Sequence, residues 1–521
     1  MILNILAVSA EAFPLAKTGG LADAVSGLCR SVHQPGRAHV TLMLPAYPTA
    51  VEAVGPLREC ARLDGLPGGT ATLLQGVVPA LGLPVLLLRN DRLYDREGVY
   101  ADAAGEEYPD NAVRFAALAQ AAARVAQGIR GLPRPDVVHA HDWHAALVPL
   151  YMKQMRVDGP KTLLTLHNIA FQGVFPLELA PLLGLRPGAR VGDGAEFHGR
   201  LNFLKAGIRH ADLISVVSRN YAREILTPAF GCGLEGVLAD RVDDSISIPN
   251  GIDVSVWNPQ ADEYLPGLSF SIGRMGNKAA CKRRLQNRFG LAPDDGATVM
   301  ALGSRMTHQK MADVAALALP AALDSHPELQ VCILGRGEKR MEIALQDLEH
   351  RYPGRCAVHV GFQEPHAHLL HAGADILLHG SRFEPFGLTP LYAMRYGTIP
   401  IGSRVGGMAD TIRDPGSARD VESMRHATGV LFEGDSAADM SAAIDRTLML
   451  RRRPDIWQAM QYNAMRTDFS WSRAAPLYLR AYRALGLGRS AFMPAALPAA
   501  KEESRARHSG LVAQADSVWT T

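Results

Sequence analysis

Cysteine is scarce in this sequence, and the few thiols lie far apart. The 521 residues include six cysteines and no Cys-x-x-Cys pair. Small disulfide-stabilised domains and structural zinc sites both need dense or closely paired cysteines, so this spacing argues against both classes. We therefore expect reduced thiols and a cytoplasmic location. The cysteines are Cys29, Cys60, Cys232, Cys281, Cys332 and Cys356.

Net charge and long apolar runs are also lacking. The 54 basic residues nearly balance the 52 acidic ones, so the net charge of +2 provides no broad field to attract nucleic acid or an anionic membrane. No apolar run approaches the roughly 18 residues that cross a bilayer. The start of the chain, Met1–Val8, carries no basic leader. We expect no nucleic-acid partner, no membrane partner and no secretion, and any anion binding must be local.

The sequence does contain enough apolar material for more than one core. It has 521 residues, 47% of them hydrophobic, and a single core usually stops growing at roughly 250–300 residues. Short apolar runs alternate with longer helical segments, as is typical of buried parallel strands joined by crossover helices. We predict an α/β fold of two doubly wound, Rossmann-like domains. The predicted strands are Ile2–Val8, Val40–Leu44, Val85–Leu88, Val137–His139, Thr162–Leu166, Leu213–Val217 and Ile246–Ile248, then Val299–Leu302, Leu329–Leu334, Ala357–Val360, Ile376–Leu378 and Ile399–Gly402.

Turn residues and composition indicate the domain boundaries. The turn Pro249-Asn250-Gly251 follows the strand Ile246–Ile248. We predict a first domain over residues 1–249 and a second over 250–471. A helical segment, Ser472–Leu487, precedes a tail, 488–521, whose Ala, Pro, Ser and charged residues predict a flexible segment that is dispensable for chemistry.

A glycine pair next to a lysine follows the first strand, in the run Lys17-Thr18-Gly19-Gly20. Paired glycines let a backbone approach a ligand closely, and amides at the start of a helix can receive phosphate or sugar oxygens. A plain strand-to-helix turn would give the same pattern. The similar run Val405-Gly406-Gly407-Met408-Ala409-Asp410 suggests a second half-site that faces the same cleft.

Polar side chains follow two further strands of the first half. The run His139-Ala-His-Asp142-Trp-His ends one strand, and His167-Asn168 ends the next. Ligands of an open parallel sheet bind at the carboxyl ends of its strands. Neighbouring extended residues point to opposite faces, which disfavours a metal site. Each histidine could instead have a hydrogen-bonded structural role, whereas Asp142 is the better candidate for substrate contact.

The second half repeats this arrangement with charged residues. Arg305 and Lys310 follow the strand Val299–Leu302 and could converge on a pyrophosphate, although a solvated basic loop is the alternative. Glu384 precedes Pro385 and Gly387 at a predicted helix start. This carboxylate could accept sugar hydroxyls beside amides suited to phosphate, or it could be only a helix-start charge.

Together these motifs resemble those of bacterial glycogen synthases and plant starch synthases, in the same order and over about residues 1–487. The resemblance implies the GT-B glycosyltransferase architecture, in which an acceptor domain and a nucleotide-sugar domain close over a deep cleft. It further implies that the final helix, here Ser472–Leu487, crosses back to the first domain. It also implies retaining transfer of glucose from ADP-glucose to the non-reducing 4-hydroxyl of an α-1,4-glucan, with no cofactor. The motifs are Lys17-Thr-Gly-Gly-Leu-Ala-Asp, His139-Ala-His-Asp-Trp-His, His167-Asn, Asn250-Gly-Ile-Asp, Ser304-Arg-Met-Thr-His-Gln-Lys and Ser381-Arg-Phe-Glu-Pro-Phe-Gly-Leu.

The resemblance also assigns roles residue by residue. Asp142 and His167 would hold glucose hydroxyls or the reacting face, Arg305 and Lys310 would stabilise the pyrophosphate leaving group, and Glu384 would bind the glucose ring. No side chain is singled out as a covalent nucleophile, which favours front-face displacement. The remaining donor contacts would be Lys17, Gly19, Gly20, Asn250, Phe362, Phe386, Gly387, Leu388 and Thr389, with Phe362 against adenine.

The sequence departs from the family pattern near the donor site. Phe386 stands where many relatives carry cysteine, Pro390 replaces glutamine, Met311 replaces glycine, and His379-Gly380 replaces an apolar-proline pair. These changes concern the shape of the donor pocket and therefore the choice between ADP and UDP.

Four other functions were compared with this interpretation. A transferase of the same architecture with another nucleotide donor or a small acceptor is the main alternative. A glucan phosphorylase would need a cofactor lysine in its own sequence setting, and a non-catalytic glucan-binding paralogue would lack the charged site residues. A dinucleotide oxidoreductase would need a Gly-x-Gly-x-x-Gly turn, which neither half begins with.

Overall fold

The computed structural model describes residues 2–186, 194–361, 363–417, 420–422 and 424–487. The predicted tail, 488–521, and the predicted adenine contact Phe362 lie outside these described residues. The described part of the chain forms two α/β units, each built on its own parallel-stranded sheet. This confirms the predicted doubly wound fold of two Rossmann-like domains.

The first unit is a nine-stranded sheet with the order β12-β11-β7-β6-β1-β2-β5-β4-β3. Neighbouring strands pair parallel, except that β4 pairs antiparallel with both β3 and β5 at one edge. A small antiparallel sheet, β8-β10-β9, lies beside it. The elements in chain order are β1 Leu3–Val8, α1 Gly20–Val32, β2 Ala38–Pro45, α2 Pro48–Ala53, β3 Arg58–Leu66, β4 Gly69–Val78, β5 Leu83–Arg89, α3 Asp91–Tyr94, α4 Asn111–Gln127, β6 Val137–His141, α5 Asp142–Ala145, α6 Val148–Gln154, β7 Lys161–Leu166, β8 Val174–Pro176, β9 Glu196–Phe197, β10 Arg200–Asn202, α7 Phe203–His210, β11 Leu213–Val216, α8 Arg219–Glu224, α9 Glu235–Ala239 and β12 Ser245–Ser247.

The second unit is a six-stranded parallel sheet with the order β15-β14-β13-β16-β17-β18. Its elements are α10 Gly276–Phe289, β13 Thr298–Gly303, α11 Ala312–Ser325, β14 Leu329–Gly335, α12 Lys339–Arg351, β15 Cys356–Val360, α13 Glu364–Gly373, β16 Ile376–His379, α14 Leu388–Arg395, β17 Ile399–Ser403, α15 Gly406–Thr411, β18 Val430–Phe432, α16 Ala437–Arg451, α17 Pro454–Arg466 and α18 Trp471–Leu487.

The twelve predicted strands all occur, but the first sheet is larger than predicted. The antiparallel pair β3 and β4, the small sheet and β18 were not predicted from the sequence. In β3 the exposed and buried side chains are mixed, so this strand has no continuous apolar run of the kind that marks a buried parallel strand. The first sheet therefore has an antiparallel edge that the sequence did not predict.

The chain passes between the two units twice, and the two crossings lie side by side. The Ile252 amide donates to the carbonyl oxygen of Phe469 at 2.8 Å. Gly251 packs directly on Trp471, since a Cβ at Gly251 would lie 2.6 Å from the Trp471 nitrogen. After this crossing, α18 packs on α1 in the first unit, as the family resemblance implies for the final helix.

Buried polar contacts fix α18 on the first sheet. The His139 ring, which is fully buried, hydrogen-bonds the Tyr482 hydroxyl through Nδ1 at 2.8 Å and the Thr165 hydroxyl through Nε2 at 2.6 Å. His139 therefore has the structural role that was left open for each histidine.

All six cysteines, each within the described part of the chain, are free thiols. None of the described helices combines the length and apolar character that a bilayer-spanning helix needs.

Candidate active site

Both sheets reverse their strand order at one point, and the candidate residues lie there. In the first sheet the reversal falls between β1 and β6, which are followed by the Lys17 loop and by Asp142. In the second sheet it falls between β13 and β16, which are followed by the Arg305–Lys310 loop and by Glu384. Ligands of doubly wound sheets bind in the crevice at such switch points. The topology therefore brings the candidates of each unit together.

The glycine loop of the first unit is held by a buried carboxylate. Glu11 accepts hydrogen bonds from the amides of Thr18 and Gly19 at 2.5 and 3.2 Å, and from the Thr18 and Tyr100 hydroxyls at 2.7 and 2.5 Å. These two amides are therefore already occupied before α1 begins. The loop serves as a fixed support for Lys17, and its amides are less available to phosphate than the sequence suggested.

Lys17 lies between carboxylates of both units. Its Nζ is 3.1 Å from Asp23 Oδ1 and 3.5 Å from Glu364 Oε2, which belongs to the second unit. Burial raises the pKa of Asp23 to about 6, although Lys17 opposes that shift. Lys17 therefore contacts the second unit, and its partner there is Glu364.

Gly20 allows the two units to touch. A Cβ at this position would lie 3.3 Å from Leu388 Cδ1, which is tighter than most real Cβ contacts. Leu388 begins α14, directly after the loop 381–387, which carries Glu384 and predicted donor contacts. The start of α1 and the start of α14 therefore lie against each other, and each follows a candidate loop.

Asp142 adopts a backbone conformation that is rare for a residue with a side chain. Its φ is +55°, in the left-handed region. Its Oδ1 accepts the amides of His167 at 2.8 Å and Asn168 at 3.2 Å, so it fixes the loop after β7. Burial raises the pKa of Asp142 to about 7, against the effect of these amides.

His167, which is partly buried, is paired with the fully buried His141. Its Nε2 is 3.1 Å from His141 Nδ1, so one of these nitrogens carries the shared proton. Burial lowers the pKa of His167 to about 3 and that of His141 well below its usual value. Both rings are therefore neutral near pH 7, and the contact with His141 uses Nε2 of His167 and not Nδ1.

Glu384 and Lys310 form a buried ion pair in the second unit. Their side chains are 9% and 12% exposed. Glu384 Oε2 also lies 3.1 Å from Ser381 Oγ and 3.2 Å from His379 Nε2. Burial by itself would raise the pKa of Glu384, but Lys310 and His379 outweigh it and hold that pKa well below its usual range.

Arg305 lies on the same loop as Lys310 but in a different environment. It is exposed, and its guanidinium donates to Gln309 Oε1 at 3.0 Å. Gln309 in turn donates to the Phe383 carbonyl at 3.2 Å. Arg305 therefore lies at the solvent side of the loop, and its convergence with Lys310 on a pyrophosphate stays a prediction.

The predicted donor loop leads into a helix. Gly387 precedes α14 with φ +86°, a conformation that favours glycine, and no side chain caps this helix start. Phe386 is buried, whereas Leu388 and Thr389 are partly exposed at the first turn of α14. Their amides stand at a helix N-terminus, where phosphate binds readily.

Asn250 is buried, and nothing among the described residues hydrogen-bonds its Oδ1.

Two departures from the family pattern are in direct contact. Met311 is fully buried with φ +53°, which explains why glycine would suit this position. A Cβ at Gly380 would lie 2.8 Å from Met440 Cε, 3.3 Å from Met311 Cβ and 3.4 Å from the Met311 sulfur. Gly380 therefore provides the space that Met311 fills, and the neighbouring His379 contacts Glu384.

Sequence reasoning missed four residues at this site. Glu11, Asp23, Glu364 and His379 all contact predicted residues, at the distances given above. Each was visible as a polar residue at a strand end or helix start. Glu364 meets its partner across the two units, whereas the other three contact residues only five to seven positions away, through turns of the chain that no periodic pattern shows. Among the described residues, no group of three or more His, Cys, Asp or Glu side chains is arranged to hold a metal ion.

Comparison with known proteins gives a consistent result. Residues 4–240 match the family model of the starch synthase catalytic domain, and residues 283–464 match that of glycosyl transferases group 1. The chain is 58% identical to a glycogen synthase of Bordetella parapertussis, over 93% of this chain and 95% of that protein. It is 53% identical to a glycogen synthase of Ralstonia nicotianae, over 93% and 88% of the two chains.

Solved structures agree with these matches. The catalytic domain of starch synthase IV from Arabidopsis thaliana, bound to ADP and acarbose, has a TM-score of 0.83 at 26% identity and covers 94% of this chain and 100% of its own. A sucrose-phosphate synthase from Thermosynechococcus elongatus has a TM-score of 0.58 at 16% identity, over 93% of this chain and 100% of its own, and this likeness shows the GT-B fold alone. With two family models matched in order and close relatives aligned over nearly its whole length, the chain belongs to the glycogen synthase and starch synthase family of glycosyltransferases.

Proposed function

We propose that this protein is a glycogen synthase that transfers glucose from ADP-glucose to the non-reducing 4-hydroxyl of an α-1,4-glucan, with retention at the anomeric carbon. The observation that carries the proposal is the contact between Gly20 and Leu388, because it joins the candidate loops of the two units at one place. Family membership supplies the reaction class. The ADP in the starch synthase IV structure supports the choice of nucleotide.

The second unit is suited to hold the donor. Arg305, Lys310 and the amides at the start of α14 offer positive charge to a pyrophosphate, and Glu384 offers a carboxylate to glucose hydroxyls. Lys310 and Glu384 form an ion pair with each other. The pyrophosphate of the donor would therefore bind Lys310 while its glucose binds Glu384, so the two parts of the donor lie on neighbouring side chains.

The first unit is suited to hold the reacting face. Asp142 uses Oδ1 for two backbone amides, so a sugar hydroxyl would be accepted by Oδ2. The neutral His167 ring offers Nδ1. In the front-face displacement that we propose, the bond between the anomeric carbon and the phosphate oxygen breaks as the bond to the acceptor 4-oxygen forms. The proton passes to the departing phosphate, whose charge Arg305 and Lys310 stabilise.

We also propose that the enzyme works in the cytoplasm and needs neither a cofactor nor a metal ion. The balanced charge of the chain and its scattered thiols support this location. The basic residues at the second switch point support metal-free stabilisation of the leaving group.

The test supplies the purified full chain with glycogen and either ADP-glucose or UDP-glucose labelled with ¹³C at the anomeric carbon. Proton and carbon NMR then report the linkage and configuration of the product, and a coupled assay reports nucleotide release. We expect α-1,4 extension and ADP release with the first donor. Faster transfer from UDP-glucose would favour the alternative nucleotide, transfer only to free sugars would favour a small acceptor, and no transfer would contradict the proposal.

A further inference from the structure

Two short helices from the two units meet across the cleft. Helix α8 of the first unit and α15 of the second are six residues each and pack against each other. Each gives a carboxylate to the first backbone amides of the other. We call this pair of contacts the α8–α15 clamp; it consists of Glu224, Asp410 and the amides of Arg219, Asn220 and Gly406.

The Glu224 half of the clamp is the better protected one. The Gly406 amide lies 2.9 and 3.0 Å from the two Glu224 carboxylate oxygens. The Asn220 side chain donates to the same carboxylate at 2.7 Å and holds its orientation. Glu224 is partly buried. Hydrogen bonds to a charged, partly desolvated acceptor are the stronger ones, so this half should dominate.

The Asp410 half is the mirror arrangement in a more exposed place. Its Oδ2 accepts the amides of Arg219 at 2.7 Å and Asn220 at 3.0 Å. Asp410 is exposed. Screening by water weakens such contacts, so this half should contribute less.

On the donor side, α15 is tied to the loop that carries Glu384. The Gly407 amide donates to the Glu384 carbonyl at 3.1 Å. A Cβ at Gly406 would collide with the Glu384 carbonyl oxygen, and one at Gly407 would collide with the Phe386 backbone. Any shift of α15 must therefore move the donor loop.

On the acceptor side, α8 is tied to the loop that carries His167. The Tyr221 hydroxyl, which is buried, accepts the Ile169 amide at 3.0 Å. The adjacent amides of His167 and Asn168 are held by Asp142. We call the loop that carries His167 the acceptor loop and the loop that carries Glu384 the donor loop. Together with the Tyr221 and Gly407 hydrogen bonds, the clamp links the acceptor loop, through α8 and α15, to the donor loop.

We propose that Glu224 and Asp410 are positioning residues for glucosyl transfer, because the clamp that they form sets the acceptor loop against the donor loop. Neither residue touches substrate in this proposal, which rests on the proposed glucosyl transfer. The consequence is specific. Without the clamp, the second unit still binds nucleotide, but the two halves of the site meet less often, so turnover falls while affinity for ADP is kept.

The test compares Glu224→Ala, Asp410→Ala and the double variant with wild type. Glu52→Ala on α2 and Asp347→Ala on α12 are matched controls, since each removes an exposed helix carboxylate away from the clamp. Turnover is measured with ADP-glucose and glycogen, ADP affinity by calorimetry, and stability by thermal unfolding. We expect Glu224→Ala to lower kcat at least tenfold with ADP affinity within threefold of wild type, and Asp410→Ala to lower kcat by a smaller factor.

The double variant separates one clamp from two unrelated contacts. If the clamp acts as a unit, the double variant loses little more kcat than Glu224→Ala alone. Glu224→Gln keeps an oxygen acceptor for the Gly406 amide and should recover at least threefold of the lost kcat. A kcat within twofold of wild type for Glu224→Ala would overturn the proposal.

Two further readouts keep the proposal falsifiable. If kcat, ADP affinity and melting temperature fell together, a general loss of folding would be the explanation and the proposal would be wrong. Hydrogen exchange of the Gly406 amide needs no substrate, and Glu224→Ala should speed it at least tenfold, so an unchanged rate would also overturn the clamp. Absence of transfer by wild type would instead refute the proposed function.

Discussion

Replacing Lys310 by Met removes the cation of the buried pair while keeping most of the side-chain volume. The pair is only 9% and 12% exposed. Loss of one partner of a buried ion pair costs about 3–5 kcal/mol, because the remaining charge stays desolvated. Ser381 and His379 still contact the carboxylate, so we expect the lower end, about 3 kcal/mol, in the free energy of unfolding.

Turnover should fall by more than this stability loss explains. Removing one preformed group that stabilises developing charge costs about 10²–10³ in kcat. We therefore expect Lys310→Met to lower kcat at least 100-fold with ADP-glucose, while glycogen binding, measured by affinity electrophoresis, changes less than threefold. Lys310→Arg is the matched control that keeps the charge. Equal losses of turnover and glucan binding would refute a role at the leaving group.

A second variant separates stability from chemistry. Lys310→Met with Glu384→Gln removes both charges, so it should recover part of the unfolding free energy but none of the activity.

The pH dependence of the unfolding free energy gives an independent check. The lowered pKa of Glu384 stabilises the wild-type fold above the unfolded-state pKa of roughly 4.3, and this stability is lost as pH falls towards the folded value. Lys310→Met should flatten that dependence between about pH 3 and 5.

Three further predictions follow from the site. Burial raises the pKa of Asp142 to about 7, so kcat/KM should rise with pH through that value as the carboxylate ionises. Asp142→Asn should lose both the activity and this step in the pH profile. A wild-type profile that is flat between about pH 6 and 8 would contradict the assignment. Met311→Gly relieves about 1–2 kcal/mol of backbone strain but empties a buried site, and Gly380→Ala crowds that site, so each should destabilise by about 1–3 kcal/mol in urea unfolding. Combined, these two substitutions should cost less than their sum, whereas strict additivity would mean that the positions are not coupled. Finally, EDTA should leave kcat unchanged, and a loss that is restored by a divalent cation would contradict metal-free stabilisation of the leaving group.

Local patterns were sufficient to predict the strands and the loops that follow them. Apolar runs identified the parallel strands of both sheets. Polar residues after these strands singled out Asp142, His167, Lys310 and Glu384 as candidates, and their roles stay predictions. These features depend on neighbouring residues and on the rule that ligands bind at switch points. They are therefore readable from the sequence.

Contacts between distant residues were not predictable in this way. Glu11 binds Tyr100, 89 positions away, and Asp410 caps a helix that begins 191 positions earlier. The sequence pattern at the two glycine pairs suggested amides open to phosphate, but Glu11 and Glu224 accept hydrogen bonds there instead. A single sequence shows which groups could bond, and only the folded chain shows which partners reach them.

The same limit explains the departures from the family pattern. Met311 and Gly380 read as two unrelated changes in the sequence, yet they share one space behind the donor loop. Their compensation depends on the left-handed backbone at Met311 and on the close approach of Gly380 to the Met311 side chain. Neither feature leaves a periodic signal in the sequence.

The central claim is that glucose is transferred where the switch points of the two units meet. The most direct measurement is the initial rate of glucan extension from ADP-glucose by the wild-type chain beside Lys17→Ala, which alters the first half of the site, and Glu384→Ala, which alters the second. We expect rapid extension by wild type and at least a tenfold lower kcat for each variant. Extension at wild-type rates by either variant would contradict the two-part site, and no extension by wild type would contradict the account as a whole.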